Sequence, residues 1–228
     1  MTSSQIPRSL FAFLRELKAN NDRLWFEANK ERYHSEVRDP MLAFIDAFAG
    51  PLSEISPHFR ADPRPHGGSL FRIYRDTRFS KDKTPYKTNV GAHFRHVAGR
   101  NAHAPGFYLH LEPGACFAGG GLWRPDSRAL GRVRNAIVDR TDEWVSVTAD
   151  ASFRETFEIS GHSLKRPPRG YDPEHPLIDD IKRKDFVAIA NFTESFAAQP
   201  DFFRRFVTIV QTGSDFVRFL SRAVGVPY

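Results

Sequence analysis

Between Ser69 and Trp123 the chain holds four strand-length runs, SLFRIYRD, TNVGAHFRH, GFYLHLEP and ACFAGGGLW, joined by stretches carrying Gly, Pro, Asn or Lys. No other feature restricts the fold as much. Parallel neighbours need a crossover of a dozen or more residues, and links such as VAGRNAHAPG are too short to supply one. The runs are therefore expected to pair antiparallel, in sequence order, as a meander.

The flanks read as helix. Leu10, Phe11, Leu14 and Leu17 form one apolar stripe at helical spacing. NNDRLWFEANKERY begins a second helix, with Asn21 or Asp22 as its N-cap and Trp25, Phe26, Tyr33 and Val37 at helical intervals. Proline is poorly tolerated in a helix interior, so this helix is expected to end before Pro40 and a new one to start there. After RPDS the helical period returns through Leu130, Val133, Ile137 and Val138, and further short helices are expected over roughly 142–158. LKRPPRGYDPEHP is a Pro-rich link. A short helix at LIDDIKRK, a strand at DFVAIANF and a helical pair broken near Gly213–Ser214 complete the chain. The expected fold is α+β: an antiparallel meander sheet packed with helices from the N- and C-terminal parts, as a single domain over residues 1–228.

A lone cysteine, Cys116, excludes an intrachain disulfide and a four-cysteine zinc site, and a reduced, cytoplasmic setting is the expectation. The N-terminal residues lack the pattern of a signal peptide, and no run approaches 18 consecutive apolar residues, so no membrane span is expected. P-loop, dinucleotide-binding, nucleophile-elbow, zincin and EF-hand motifs are absent. No motif names a cofactor or a metal, and none sets the oligomeric state.

Charge is concentrated. From Arg60 to Arg100 there are ten Lys or Arg and three Asp or Glu, a balance of +7, and the rest of the chain is at −1. Within this segment Arg72, Arg75, Arg78, Lys81, Lys83 and Lys87 are candidates to hold an anion, Arg as a planar fork and Lys as a point charge. On a strand, Phe71, Ile73 and Arg75 would share the core side, with Arg72, Tyr74 and Asp76 opposite, and Tyr86 could stack on a ring or base. The alternative is a solvated loop whose charges pair with Asp76 and Asp82. In GFYLHLEP, Tyr108, His110 and Glu112 share the face away from the core, so His110 and Glu112 are candidates for general acid/base work or, with a distant residue such as His93, for metal ligation. The alternative there is a hydrogen-bonded polar sheet face. Gly119, Gly120 and Gly121 would permit close approach of a ligand or of another backbone, or mark a bulge. Lys165, Arg166 and Arg169 form a smaller basic group on a stiff loop. Cys116, between Ala115 and Phe117, reads as a small strand residue.

These motifs together resemble the family called domain of unknown function 2461. The blocks that carry the resemblance are NNDRLWFEANKERY, GGSLFRIYRDTRFSKDKTPYKTNVGAHF, PGFYLHLEPG, GGGLWRPD and LKRPPRGYD with HPLIDDIKRKDF, over roughly residues 8 to 222. The resemblance implies a single-domain protein without a recognised cofactor, and carries over no assigned catalytic residue. It places the Arg72–Lys87 string inside the family motif, which favours a defined role for it. Three roles fit: a site for a phosphate- or carboxylate-bearing small molecule, with phosphoester or nucleotide chemistry; a nucleic-acid-binding surface; or an ion-pair network that braces the fold.

Overall fold

The first apolar stripe becomes the buried side of helix α1 (Arg8–Ala19), where Leu10, Phe11, Leu14 and Leu17 are joined by Phe13 in the core. The computed structural model describes residues 4–99 and 103–228. Asp22 caps α2 (Arg23–Ala28), its carboxylate accepting from the Trp25 amide at 2.9 Å. α3 (Lys30–Arg32) then runs through a π-helical turn, Tyr33–Arg38, directly into α4 (Asp39–Ile55). Pro40 thus marks no break. It sits in the first turn of α4, and the preceding wide turn takes up the change of hydrogen-bond register.

The strands are β1 (Phe59–Arg60), β2 (Val90–His96), β3 (Gly106–Leu111), β4 (Cys116–Leu122), β5 (Glu158–Ser160) and β6 (Phe186–Phe192). They form one antiparallel sheet in the order β1-β2-β3-β4-β6-β5. The meander β2-β3-β4 is the expected one; residues 100–102 of its first connection lie outside the described residues. β1 and β5 were not expected from the sequence, since two or three residues are too few to show an alternation.

SLFRIYRD is a correction. It forms no continuous strand and meets its neighbours at two isolated bridges, Leu70 with Ala92 and Tyr74 with Tyr86. The first pairs it with β2 and the second folds it back on itself, with the Arg75 amide donating to Pro85 O and the Lys87 amide to Ile73 O. The two bridges are out of register by two residues, since the first would pair Tyr74 with Thr88 instead of Tyr86, and Pro85 has no N–H to give, so no ladder can run through. The inside–outside alternation survives: Ile73 is buried, whereas Arg72 and Tyr74 are exposed.

The later helices are α5 (Ser127–Asp139), α6 (Thr141–Thr148), α7 (Ala151–Thr156), α8 (Ile178–Ile181), α9 (Glu194–Ala197), α10 (Phe202–Thr212) and α11 (Ser214–Val224). One sheet face, with Ala92, Phe94, Phe107, Leu109, Ala118, Phe186 and Ala188, is buried in the core. Phe94 meets Phe48 of α4, with ring centroids 4.8 Å apart, and Phe48 meets Phe206 of α10 at 4.9 Å. A β-carbon on Gly120 would come within 2.8 Å of the Val217 side chain, so α11 lies close on β4. The alternate residues, among them His93, Tyr108, His110, Phe117, Gly119, Gly121, Val187 and Ile189, are half-buried on the other face. Among the described residues no helix is long and apolar enough to cross a membrane.

Candidate functional site

The second sheet face carries a cleft of about 380 Å³. Its floor is Gly106, Gly119 and Gly121, and its sides include Phe71, Trp123, Val187 and Ile189. Strand register explains the hollow. Gly106 is paired with Gly121, and Tyr108 with Gly119, so bare backbone lies beside bare backbone across β3 and β4. The volume and the apolar walls suit a small molecule.

Two more glycines shape the polar side of the cleft. A β-carbon on Gly106 would collide with His93 Nε2, and one on Gly91 with the Tyr108 hydroxyl. The His93 ring therefore leans over β3 and the Tyr108 ring over β2. Arg95 Nε donates to His93 Nδ1 at 3.2 Å. Burial, with Arg95 adding to it, lowers the His93 pKa to about 4, so its imidazole is neutral near pH 7.

Beside this pair runs a chain of polar contacts. Glu112 Oε2 lies 3.3 Å from His110 Nε2, and the Tyr108 hydroxyl lies 3.3 Å from His110 Nδ1. Thr88 Oγ1 donates to Glu112 Oε1 at 3.4 Å. A carboxylate only accepts, so His110 Nε2 carries the proton and Nδ1 accepts from Tyr108. His110 also stacks on Phe117, ring centroids 4.7 Å apart. Burial lowers the His110 pKa against the opposing pull of Glu112, and burial raises that of Tyr108 to about 12. The arrangement is a base whose orientation and tautomer are set by a carboxylate. Among the described residues no group of three His, Cys, Asp or Glu could hold a metal ion.

The basic segment divides. Arg78 makes a forked pair with Asp76 at 2.9 and 2.7 Å, and Arg75 pairs with Asp82 at 2.6 Å and with the Thr84 hydroxyl. The hydrogen bonds from Arg78 bring the Asp76 pKa down to about 2, and those from the Thr84 amide and Arg75 do the same for Asp82. Lys83 Nζ donates to Thr77 O at 2.9 Å. These groups tie the loop to itself, and none of them lines the cleft. Lys87, Arg72 and Arg95 are not lining residues either, but Lys87 donates to Arg72 O at 2.7 Å and sits 5.5 Å over the ring of Phe71, which is one. Burial and the nearby Arg72 guanidinium both lower the Lys87 pKa. Arg95 lies over the same ring at 6.0 Å. Among the described residues Arg72, Lys81, Lys87 and Arg95 form no ion pair with a carboxylate.

Tyr86 is 3% exposed and stacked on Phe26 at 4.1 Å, so it belongs to the core and has no free face for a base. Tyr74 and Asp76 also stand outside the cleft lining, whereas Tyr108, His110, Gly119, Gly120 and Gly121 are in it. The glycine run is set by neighbouring backbone. A β-carbon on Gly119 would sit 2.5 Å from Ala188 O, and one on Gly121 would collide with Phe186 O, both on β6. Cys116 is buried, its thiol donates to Glu112 O at 3.2 Å, and burial raises its pKa, as suits a strand residue. His93, Arg95, Phe71 and Gly106 were not singled out as the cleft's polar corner. The available signal was a single Gly at the first non-core position of each run, Gly91 in VGAHFRH and Gly106 in PGFYLH.

The molecule is thus an α+β protein whose open antiparallel sheet carries a small-molecule-sized cleft on the face away from its core helices. It belongs to the family described as conserved hypothetical protein (DUF2461), whose model matches residues 9–219. No curated protein and no solved structure matches the chain.

Proposed function

We propose that this protein binds a small molecule with a flat apolar body and a phosphate or carboxylate group in the sheet-face cleft. The body lies on the glycine floor between Phe71, Trp123 and Ile189, and the anionic group meets Lys87, Arg95 and Arg72. The observation that carries this reading is the pair of adjacent cations, Lys87 and Arg72, near the Phe71 wall of the cleft, neither of them in a direct ion pair with a carboxylate among the described residues. An anion there gains charge-assisted hydrogen bonds and relieves like-charge repulsion. His110, steered by Glu112, is the acid/base group, and the reaction class it suits is phosphoester or nucleotide chemistry.

Calorimetric titration with phenyl phosphate tests the reading. Lys87→Ala and Arg95→Ala should each weaken binding about tenfold, the loss of one charge-assisted hydrogen bond. Arg78→Ala, already paired with Asp76, should leave it unchanged. Ile189→Trp should fill the cleft and abolish it. Absence of binding at millimolar ligand, or binding indifferent to Ile189→Trp, would sink the proposal.

A second reading rests on the loop tip. Phe79 is 95% exposed and Tyr74 48% exposed, among Arg78, Lys81 and Lys83. A single-stranded nucleic acid could stack there. Its affinity should then fall steeply between about 50 and 200 mM salt and drop with Phe79→Ala; salt-independent polarisation of a labelled oligonucleotide speaks against it.

A further inference from the structure

We infer that His93 is the cleft's ligand-anchoring hydrogen-bond donor, presenting Nε2–H to an uncharged acceptor such as a carbonyl on the ring of the bound molecule. This deepens the anionic-ligand reading above and rests on it for the ligand's charged end.

The tautomer follows from the neighbours. An Arg guanidinium has donors only, so Arg95 Nε fixes His93 Nδ1 as an acceptor at 3.2 Å. A neutral imidazole with an accepting Nδ1 must carry its proton on Nε2. That nitrogen lies within clashing distance of where a β-carbon of residue 106 would be, beside Gly106 on the cleft floor. It has no acceptor among the described residues. His93 also borders a second, wider hollow with Arg95 and Pro105, but Gly106 lines only the glycine-floored cleft, which places Nε2 there.

The other imidazole and the phenol of the cleft are already engaged. The Tyr108 hydroxyl donates to His110, and His110 Nε2 donates to Glu112. His93 Nε2–H is therefore the free donor among the imidazole and phenol groups lining the cleft, and the walls near it are glycine backbone, Trp123 and Val187. A half-buried donor left unmet in an apolar hollow discriminates strongly between a ligand that supplies an acceptor and one that does not. Its neutrality suits an uncharged carbonyl, while the anionic group of the same molecule remains with the cations near Phe71.

The test compares 4-acetylphenyl phosphate with 4-ethylphenyl phosphate, which share the ring and the anion and differ in the carbonyl. The wild-type protein should bind the acetyl compound about tenfold more tightly. His93→Phe should erase that preference, and His93→Gln, which keeps an N–H donor, should retain part of it. Nitrogen-15 NMR of the wild-type imidazole should show the Nε2–H tautomer. If both compounds bind equally and His93→Phe alters neither, the donor role fails while the anion reading stands. If neither binds, the anion reading fails and takes the ligand assignment with it. An Nδ1–H tautomer overturns the donor role whatever binds.

Discussion

Asn21 shows how one side chain positions the most basic part of the chain. Its amide donates to Tyr86 O and accepts from the Tyr86 N–H, both at 3.0 Å, which joins the α1–α2 turn to the far limb of the basic segment. By sequence either Asn21 or Asp22 could be the helix cap. Asp22 took that role because its carboxylate reaches the Trp25 amide, which left Asn21 free to clamp Tyr86. Asn21→Ala removes two partly buried hydrogen bonds, at a cost of about 1–3 kcal/mol. Denaturant unfolding should register it as a lower midpoint with unchanged slope. A midpoint equal to wild type would mean that the clamp contributes nothing net.

At the scale of elements, β4 is the strand least free to change. Gly121 has φ +135, a region that side-chain-bearing residues rarely adopt, and a β-carbon there would run into Phe186 O of β6. Gly121→Ala therefore combines backbone strain with a steric clash against a buried strand, and should lower the melting temperature by at least about 5 °C. Gly131→Ala is the control, since nothing lies within 4 Å of its β-carbon and it sits inside α5; it should be neutral or slightly stabilising. Equal melting temperatures for both variants would refute the steric account. The basic loop is the contrasting element. Its Arg–Asp pairs close within the loop and are largely solvated, with the Arg78–Asp76 side chains 77% and 49% exposed, so they shape the loop without bracing the sheet against the helices.

For the whole molecule, buried neutral histidines set the response to acid. Burial lowers the pKa of His93, His96 and His110 below the ordinary value of 6.5. For His96 burial outweighs the opposing bond from its ring to Pro227 O at 2.9 Å, while its other ring nitrogen accepts from the Ala98 amide at 3.0 Å. A histidine depressed in the folded state binds its proton more readily in the unfolded chain. Stability from these groups is thus complete above about pH 6.5 and is lost as pH falls toward their folded values. For His93 the window runs from 6.5 to about 4, with a slope of up to about 1.4 kcal/mol per pH unit. Urea midpoints at pH 7, 5.5 and 4.5 should fall in that order, and His93→Phe should flatten the trend. A midpoint that holds steady from pH 7 to 5 would contradict this.

Much of this was legible from residue order alone. The α1 stripe, the meander β2-β3-β4, strand β6, the α10–α11 pair and the placement of Tyr108, His110 and Glu112 on the non-core face all follow from period and spacing, because hydrophobic periodicity is a local property. The two-residue register shift near Arg72, the continuation of helix through Pro40 and the short strands β1 and β5 do not, since each depends on what lies alongside. The same holds for the charges. Six cations in a row look alike as a string, yet three are occupied by their own loop and Lys87 faces Phe71 because chain reversal at Tyr74–Tyr86 brings it there. Residue order by itself determined which residues are polar, basic or glycine on each face. Only the tertiary structure decided that Gly106 meets Gly121, that His93 leans into the hollow between them, and that Arg95 sets its tautomer, because cross-strand register and ring packing are relations between distant segments.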